Sequence, residues 1–474
     1  RAFRRRRAAT SATFARSFLG SVVRGALVNA LAMAGGYVPP HARRGKNASS
    51  SASTTIASPT LDAFERELRA ASKRISRAET AEEGLALYAR TLENLRAFVA
   101  SSSQDERGDE ARVSLANAAL EYAGEIMRVE RRKALSTTTR ADEARTKERA
   151  ISCAQDALRA FEGLSGSPLE KANGVATALS RIVELGGGGD NAAEVSATLA
   201  RAVEMYDYCA TSIENSQAHE DVMPALWNCA DARLKVAEHR AETGDVDGAS
   251  TSYRESFSLY ERACGFCDAN RGDDLSGLLY DWGCSLTSYA LFLAQSLDAS
   301  EDAVRIADAA VEKLRAAGQF AIGDVGALNA LGDAYQTKAE ILSRFDDAAP
   351  AVDNLRLAIC EAYDVALKLN STELNSTIGR GEAHMALAAL FRRSGDHARA
   401  DEASDTAWKA YDKALKLGDK NDPGTCEERF EVVYNAACAA NRAGQRDAAR
   451  HLLSQLLLCD GTTQEAIDND PDLK

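Results

Sequence analysis

Cys264, Gly265, Phe266 and Cys267 are the one stretch of this 474-residue chain with the two-thiol spacing used by redox pairs and zinc sites. A redox pair works where a helix opens at the first thiol, because the helix N-terminus lowers that thiol's pKa. Here apolar periodicity runs up to Cys264, so the pair closes a helix, and Asp268-Ala269-Asn270-Arg271-Gly272 comes next as a turn. A zinc site needs two more ligands; Cys284 is in reach, but no second pair of cysteines or close pair of histidines accompanies it. A redox or metal role for Cys264 and Cys267 is therefore an alternative, and packing is the main reading. The run Gly186–Gly189 suggests a phosphate loop, but no Lys-Ser/Thr comes after it and it joins helix to helix, which predicts a flexible connection. Asp468-x-Asp470-x-Asp472 begins like a calcium loop without its glycine and glutamate. The six histidines are dispersed, and none stands with a Ser or Cys as a nucleophile pair. No catalytic constellation emerges, so the chain is expected to be non-enzymatic, with no cofactor and no metal.

Any site must be positioned by a set of helices. Leu387, Ala388, Phe391, Gly395 and Ala400 recur 49 residues later as Ala436, Ala437, Ala440, Gly444 and Ala449, at identical offsets. In each copy a glycine separates two alanine-rich segments with helical spacing. A fixed-period pattern of this kind marks a helical array, whose units bury their apolar faces only by stacking on neighbours.

The spacing resembles the tetratricopeptide repeat family, in which two antiparallel helices meet through small residues. Leu331, Gly332 and Tyr335 match its first-helix signature; Ala237, then Gly244, Ala249 and Tyr253, match first helix, turn and second helix. The resemblance implies an all-α fold, an α-solenoid wound as a right-handed superhelix of antiparallel helix pairs. It covers residues 215–460 well and 60–215 weakly. Units here are longer than the 34 residues usual in the family, and helices of roughly 20 residues, near 30 Å long, account for the excess.

Hydrophobic periodicity places helix pairs near 220–242/246–264, 273–296/300–317, 324–344/348–369, 376–393/397–417 and 428–443/446–458. Earlier helices are expected from 61, over 81–99, 106–134, 140–164 and 169–185, and from Asp190 as an N-cap to about 213. The chain thus divides into three segments: 1–59 as a basic leader and linker, 60–215 as degenerate repeats, and 216–474 as the clearer repeats with a capping tail.

Charge divides the chain. Residues 1–60 hold ten Arg/Lys and no acid, leaving 47 basic against 70 acidic residues in the remainder. An acid-free head rich in Arg, Ser and Ala, with an amphipathic stretch over Phe14–Leu31, resembles an organelle transit peptide, plastid first and mitochondrial second. A rival reading starts at Met33: Tyr37-Val38-Pro39-Pro40-His41-Ala42-Arg43 resembles a motif near the N-termini of DEAD-box helicases, and implies an RNA-linked factor of cytosol or nucleus. Ten scattered cysteines, mostly on apolar helical faces, suit a reducing compartment.

The expected function is a scaffold or adaptor that holds a peptide or partner subunit on the concave face, in assembly of an organellar complex. Because residues 61–474 are strongly negative, a basic segment is the expected ligand and direct nucleic-acid contact is not expected. The concave-face candidates are Tyr280, Trp282 and Tyr289, in the least repeat-like stretch, and Asn329 and Asn435. The two asparagines stand where the resemblance places a chaperone-tail clamp, whose Lys and Arg positions are not filled. Arg305, Lys313 and Arg315 are read as a solvated face.

Overall fold

A computed structural model describes residues 60–77, 80–102, 106–131, 140–189, 191–215, 219–266, 272–296, 300–345, 348–418 and 426–457. The transit-peptide and Tyr37–Arg43 readings, Asp190, Cys267 and the Asp468–Asp472 tail lie outside these residues. Among the described residues the chain is all α-helix, without strands.

Among the described residues sixteen helices run in chain order: α1 Leu61–Ile75, α2 Ala81–Ser101, α3 Glu106–Arg131, α4 Arg140–Glu162, α5 Pro168–Glu184, α6 Ala192–Asn215, α7 His219–Glu242, α8 Val246–Gly265, α9 Gly272–Ser296, α10 Ser300–Phe320, α11 Val325–Arg344, α12 (residues 348–369), α13 Leu374–Arg393, α14 His397–Gly418, α15 Cys426–Arg442 and α16 Arg446–Leu457. Helix α12 is interrupted by a π-helical turn, Ala358–Tyr363. None of these helices is long and apolar enough to cross a membrane. The chain divides into two compact units within α7, between Val236 and Ala237.

In the first unit α1 packs on α2, α4 on α5 and α5 on α6. Glycine permits the close approaches: a Cβ on Gly84 would stand 2.7 Å from Ile75, and one on Gly174 would stand 2.1 Å from the Phe161 ring. Tyr88 stacks on Tyr122 at 5.2 Å between ring centres. Ser167 caps α5 by accepting from Glu170 N, with Pro168 at the first helical position, where its missing N–H costs nothing. Helix α6 is capped by Asn191, whose Oδ1 accepts from Ala193 N and Glu194 N at 3.0 and 3.1 Å. A half-buried ion pair joins Glu184 to Lys235 at 2.5 Å. Burial alone would raise the Glu184 carboxyl, but Lys235 and Arg181 outweigh it and hold the pKa below its ordinary value.

In the second unit each helix from α9 onward packs on the next, and alternate helices touch: α9 on α11, α11 on α13, α13 on α15. That is the contact pattern of stacked helix pairs, with α9, α11, α13 and α15 as first helices. Alanines set the spacing, as at Ala237, Ala249 and Ala400, each fully buried. Tyr253, Leu331, Tyr335 and Ala449 are likewise buried.

The turns share one hydrogen-bond pattern. Gly244, Gly395 and Gly444 have φ of +82°, +79° and +74°. The N–H after each glycine reaches back to close the helix: Asp245 N to Arg240 O at 2.8 Å, Asp396 N to Phe391 O at 2.9 Å and Gln445 N to Ala440 O at 2.8 Å. The Gly186–Gly189 connection is the same device, with Gly186 at φ +80° and Gly187 N bonded to Ile182 O at 2.8 Å. The glycine run joins helix to helix, as expected, and begins as a helix cap. Gly395→Ala should destabilise the unit by roughly 1–2 kcal/mol, because alanine resists the left-handed conformation, whereas Gly395→Asn should cost less. Denaturant midpoints of the two variants measure this.

Candidate binding surface

Helix α11 is buried on nearly every side and carries an unusual set of polar groups. Asn329, Gln336 and Thr337 are all buried, and Asp333 is half-buried between them. The polar set persists because α12 sends a ring across to it. Tyr363, at the end of the π turn, lies against Gly332 of α11 and Gly379 of α13; a Cβ on either glycine would stand 2.4 or 2.6 Å from that ring. A π turn adds a residue to the helical turn and rotates the rest of the helix about its axis. The Tyr363 hydroxyl donates to Asp333 Oδ1 at 2.6 Å and accepts from Gln336 Nε2 at 2.6 Å, while Gln336 also donates to Gly379 O at 3.2 Å. Burial raises the Asp333 carboxyl to about 6, and the bond from Tyr363 only partly opposes this.

Asp333 belongs to a row. Tyr280 and Cys284 of α9 both feel the negative charges of Asp281 and Asp333. Tyr363 feels Asp333 and Glu382, and Tyr411 of α14 feels Glu382 and is hydrogen-bonded by Asn435. Asp281, Asp333 and Glu382 stand on successive first helices, at intervals of 52 and 49 residues, and Asn435 continues the series 53 residues on. One carboxylate thus stands at a corresponding place on each of three successive first helices.

The aromatic candidates fall elsewhere. Tyr280 and Tyr289 are 3% and 4% exposed, which places both in the packing between helices and not on an open face. Tyr289 joins a cluster with Tyr253, Phe257 and Phe292, at ring distances of 4.8, 5.5 and 6.1 Å, and its hydroxyl bonds Ser250 Oγ at 2.9 Å. Trp282 is half-buried, stacked on Tyr260, with Lys313 Nζ 4.1 Å above its ring. Asn329 accepts from Ser376 Oγ at 2.6 Å inside the core. Asn329 and Asn435 therefore each hold a contact between repeats. The three cations read as a solvated face each have a partner: Arg305 pairs with Asp302 at 2.7 Å, Lys313 sits on Trp282, and Arg315, itself exposed, bonds Tyr335 and pairs with Glu361 at 2.9 Å. Burial, with Glu261 beside it, raises the Cys264 thiol against the pull of Lys313, opposite to the shift a nucleophilic thiol needs.

Sequence reasoning missed the strip because its members lie on helices whose lengths vary; aligning first helices on Leu331-Gly332 and its counterparts would have shown it. No protein-family model matches the chain, and no characterised protein matches it in sequence. Among solved structures it is similar to the apo form of RapI, at 10% identity and a TM-score of 0.38 over 83% of this chain and 86% of that one. It is similar also to the apo form of the quorum sensor NprR from B. thuringiensis, at 11% identity and a TM-score of 0.35 over 80% and 88%. A third, BtubC (BKLC) from P. vanneervenii, has 14% identity and a TM-score of 0.34 over 55% and 89%. These likenesses are loose, and the all-α reading rests on the helices themselves.

Proposed function

We propose that this chain is a non-enzymatic scaffold whose stacked first helices hold a basic segment of a partner protein. The observation that carries the reading is the repeat-spaced row Asp281, Asp333 and Glu382 on α9, α11 and α13. A largely preformed stack lowers the ordering cost of binding, and a row of like charges rewards a partner with cations at matching intervals. The acid-free head of residues 1–60 supports placing the role in an organelle, a plastid first, in the assembly of a larger complex.

The test is affinity capture of the tagged wild-type protein and of an Asp281→Asn/Glu382→Gln variant from the same cells, with mass spectrometry of the retained proteins. The expected result is a partner with an Arg/Lys-rich segment, retained by the wild type and lost from the folded variant. Retention of the same proteins by both would overturn the acidic row as the binding element.

A further inference from the structure

A second surface inverts the charge of the first. Between the end of α12, the start of α13 and the middle of α14 lies a cleft of about 460 Å³ lined by Leu367, Thr377, Arg380, Thr406, Lys409, Ala410 and Lys413. Three of the seven lining residues are cations and none is an acid, in a chain with 70 acidic and 57 basic residues. Asp364 stands beside Arg380, its Oδ1 2.9 Å from Nε as an ion pair without hydrogen-bond geometry, so the guanidinium enters the cleft already facing one carboxylate. Lys409 pairs with Asp405 one turn back, at 2.5 Å, and Lys413 is exposed without an acidic partner among the described residues. The threonine hydroxyls are spent on their own helices, Thr377 on Glu373 O at 2.6 Å and Thr406 on Glu402 O at 2.9 Å. The cleft therefore offers a guanidinium beside Asp364, an ammonium beside Asp405, the ammonium of Lys413 and an apolar floor of Leu367 and Ala410.

We propose that this cleft binds a phosphomonoester carried on a segment of a partner protein. Arginine with its Nη atoms free makes bidentate bonds to phosphate oxygens, and flanking ammonium groups supply the remaining charge of a dianion. The volume exceeds that of a bare phosphate group and leaves space for the residue that carries it. No member of the acidic row lines the cleft, and the inference does not depend on that row.

The test is fluorescence anisotropy with a labelled decapeptide of one phosphoserine flanked by alanines, its unphosphorylated form, and a form with glutamate in place of phosphoserine. Expected are binding of the phosphopeptide, affinity weaker by about tenfold or more for the other two, and the same loss in Lys409→Glu/Lys413→Glu and in Arg380→Gln. Both lysines are exposed, so the double variant tests charge with the fold kept, and Lys73→Glu in the first unit serves as the matched control. Affinity should rise between pH 5.5 and 7.5 as the phosphate passes its second ionisation near 6. Equal binding of the phosphorylated and unphosphorylated peptides overturns the proposal. So does equal loss in the Lys73 control, inorganic phosphate competing as strongly as the phosphopeptide, or tighter binding to phosphatidylinositol-phosphate vesicles than to the peptide.

Discussion

Gly332→Ala should lower the stability of the second unit by about 3 kcal/mol, the upper part of the range for overpacking a filled core. The alanine methyl would arrive 2.4 Å from Tyr363 Cζ, and the ring has little room to retreat, because it also packs on Gly379, closely enough that a Cβ there would stand 2.6 Å from it. Tyr363 is also tied by its hydroxyl to Asp333 and Gln336, so a shift of the ring breaks two buried bonds as well. The comparison that isolates the clash is Gly318→Ala, in helix α10, where a Cβ meets nothing within 4 Å. That change should stabilise by about 0.5–1 kcal/mol, the difference in helix propensity. Urea denaturation of both variants gives the two signs. A Gly332→Ala/Tyr363→Leu double variant should cost less than the two single changes combined, since contacting residues are not additive. If Gly332→Ala behaves like Gly318→Ala, the ring does not occupy this gap in solution.

Asp333→Asn should stabilise the protein at pH 7 by up to about 3 kcal/mol, and the gain should vanish near pH 4. The carboxyl titrates at about 6 in the folded protein against 3.8 ordinarily, and each unit is worth about 1.4 kcal/mol. The folded state therefore holds a proton that the unfolded state has released between these values, and wild-type stability falls as pH rises from about 4 to about 6. Asparagine keeps an oxygen to accept from Tyr363 and carries no charge to bury. His384 contributes the opposite slope: burial, and then Arg380, lower its pKa to about 4 from 6.5, so its share of stability grows as pH rises through that window. In the wild type the two slopes offset each other, and in Asp333→Asn the histidine slope should stand alone. Thermal or urea unfolding between pH 4 and 7 measures it; equal stability of the two proteins at pH 7 would mean that Asp333 is solvated in the folded state.

Helix positions were legible wherever periodicity met a cap. The segment 246–264 is observed as Val246–Gly265 and 397–417 as His397–Gly418, because Gly244 and Gly395 close the preceding helices and Asp245 opens the next by accepting from Gly248 N. The longer repeat was legible too, as helices of 20 or more residues from α6 to α11. The π turn was not, since Ala358–Tyr363 contains no proline or glycine, and the room for the Tyr363 ring is made by Gly332 and Gly379 on other helices. For the same reason aromatic spacing on α9 could not separate Tyr289, which packs inward, from a groove residue. Asp333, Gln336, Arg380, Lys409 and Lys413 carried no local signal; each acquires its meaning only when neighbouring helices are laid side by side.

Tyr363 has a mechanical consequence. An array of helix pairs held only by nearest-neighbour contacts peels from its ends under tension, one pair at a time. A side chain from α12 that is bonded to Asp333 and Gln336 of α11 and packed against Gly379 of α13, to which Gln336 also donates, couples two pairs. Tyr411 of α14 repeats the device one unit on, set against Gly381 of α13 and hydrogen-bonded by Asn435 of α15, so residues 325–442 would yield as one block and only the last helix, α16, would peel alone.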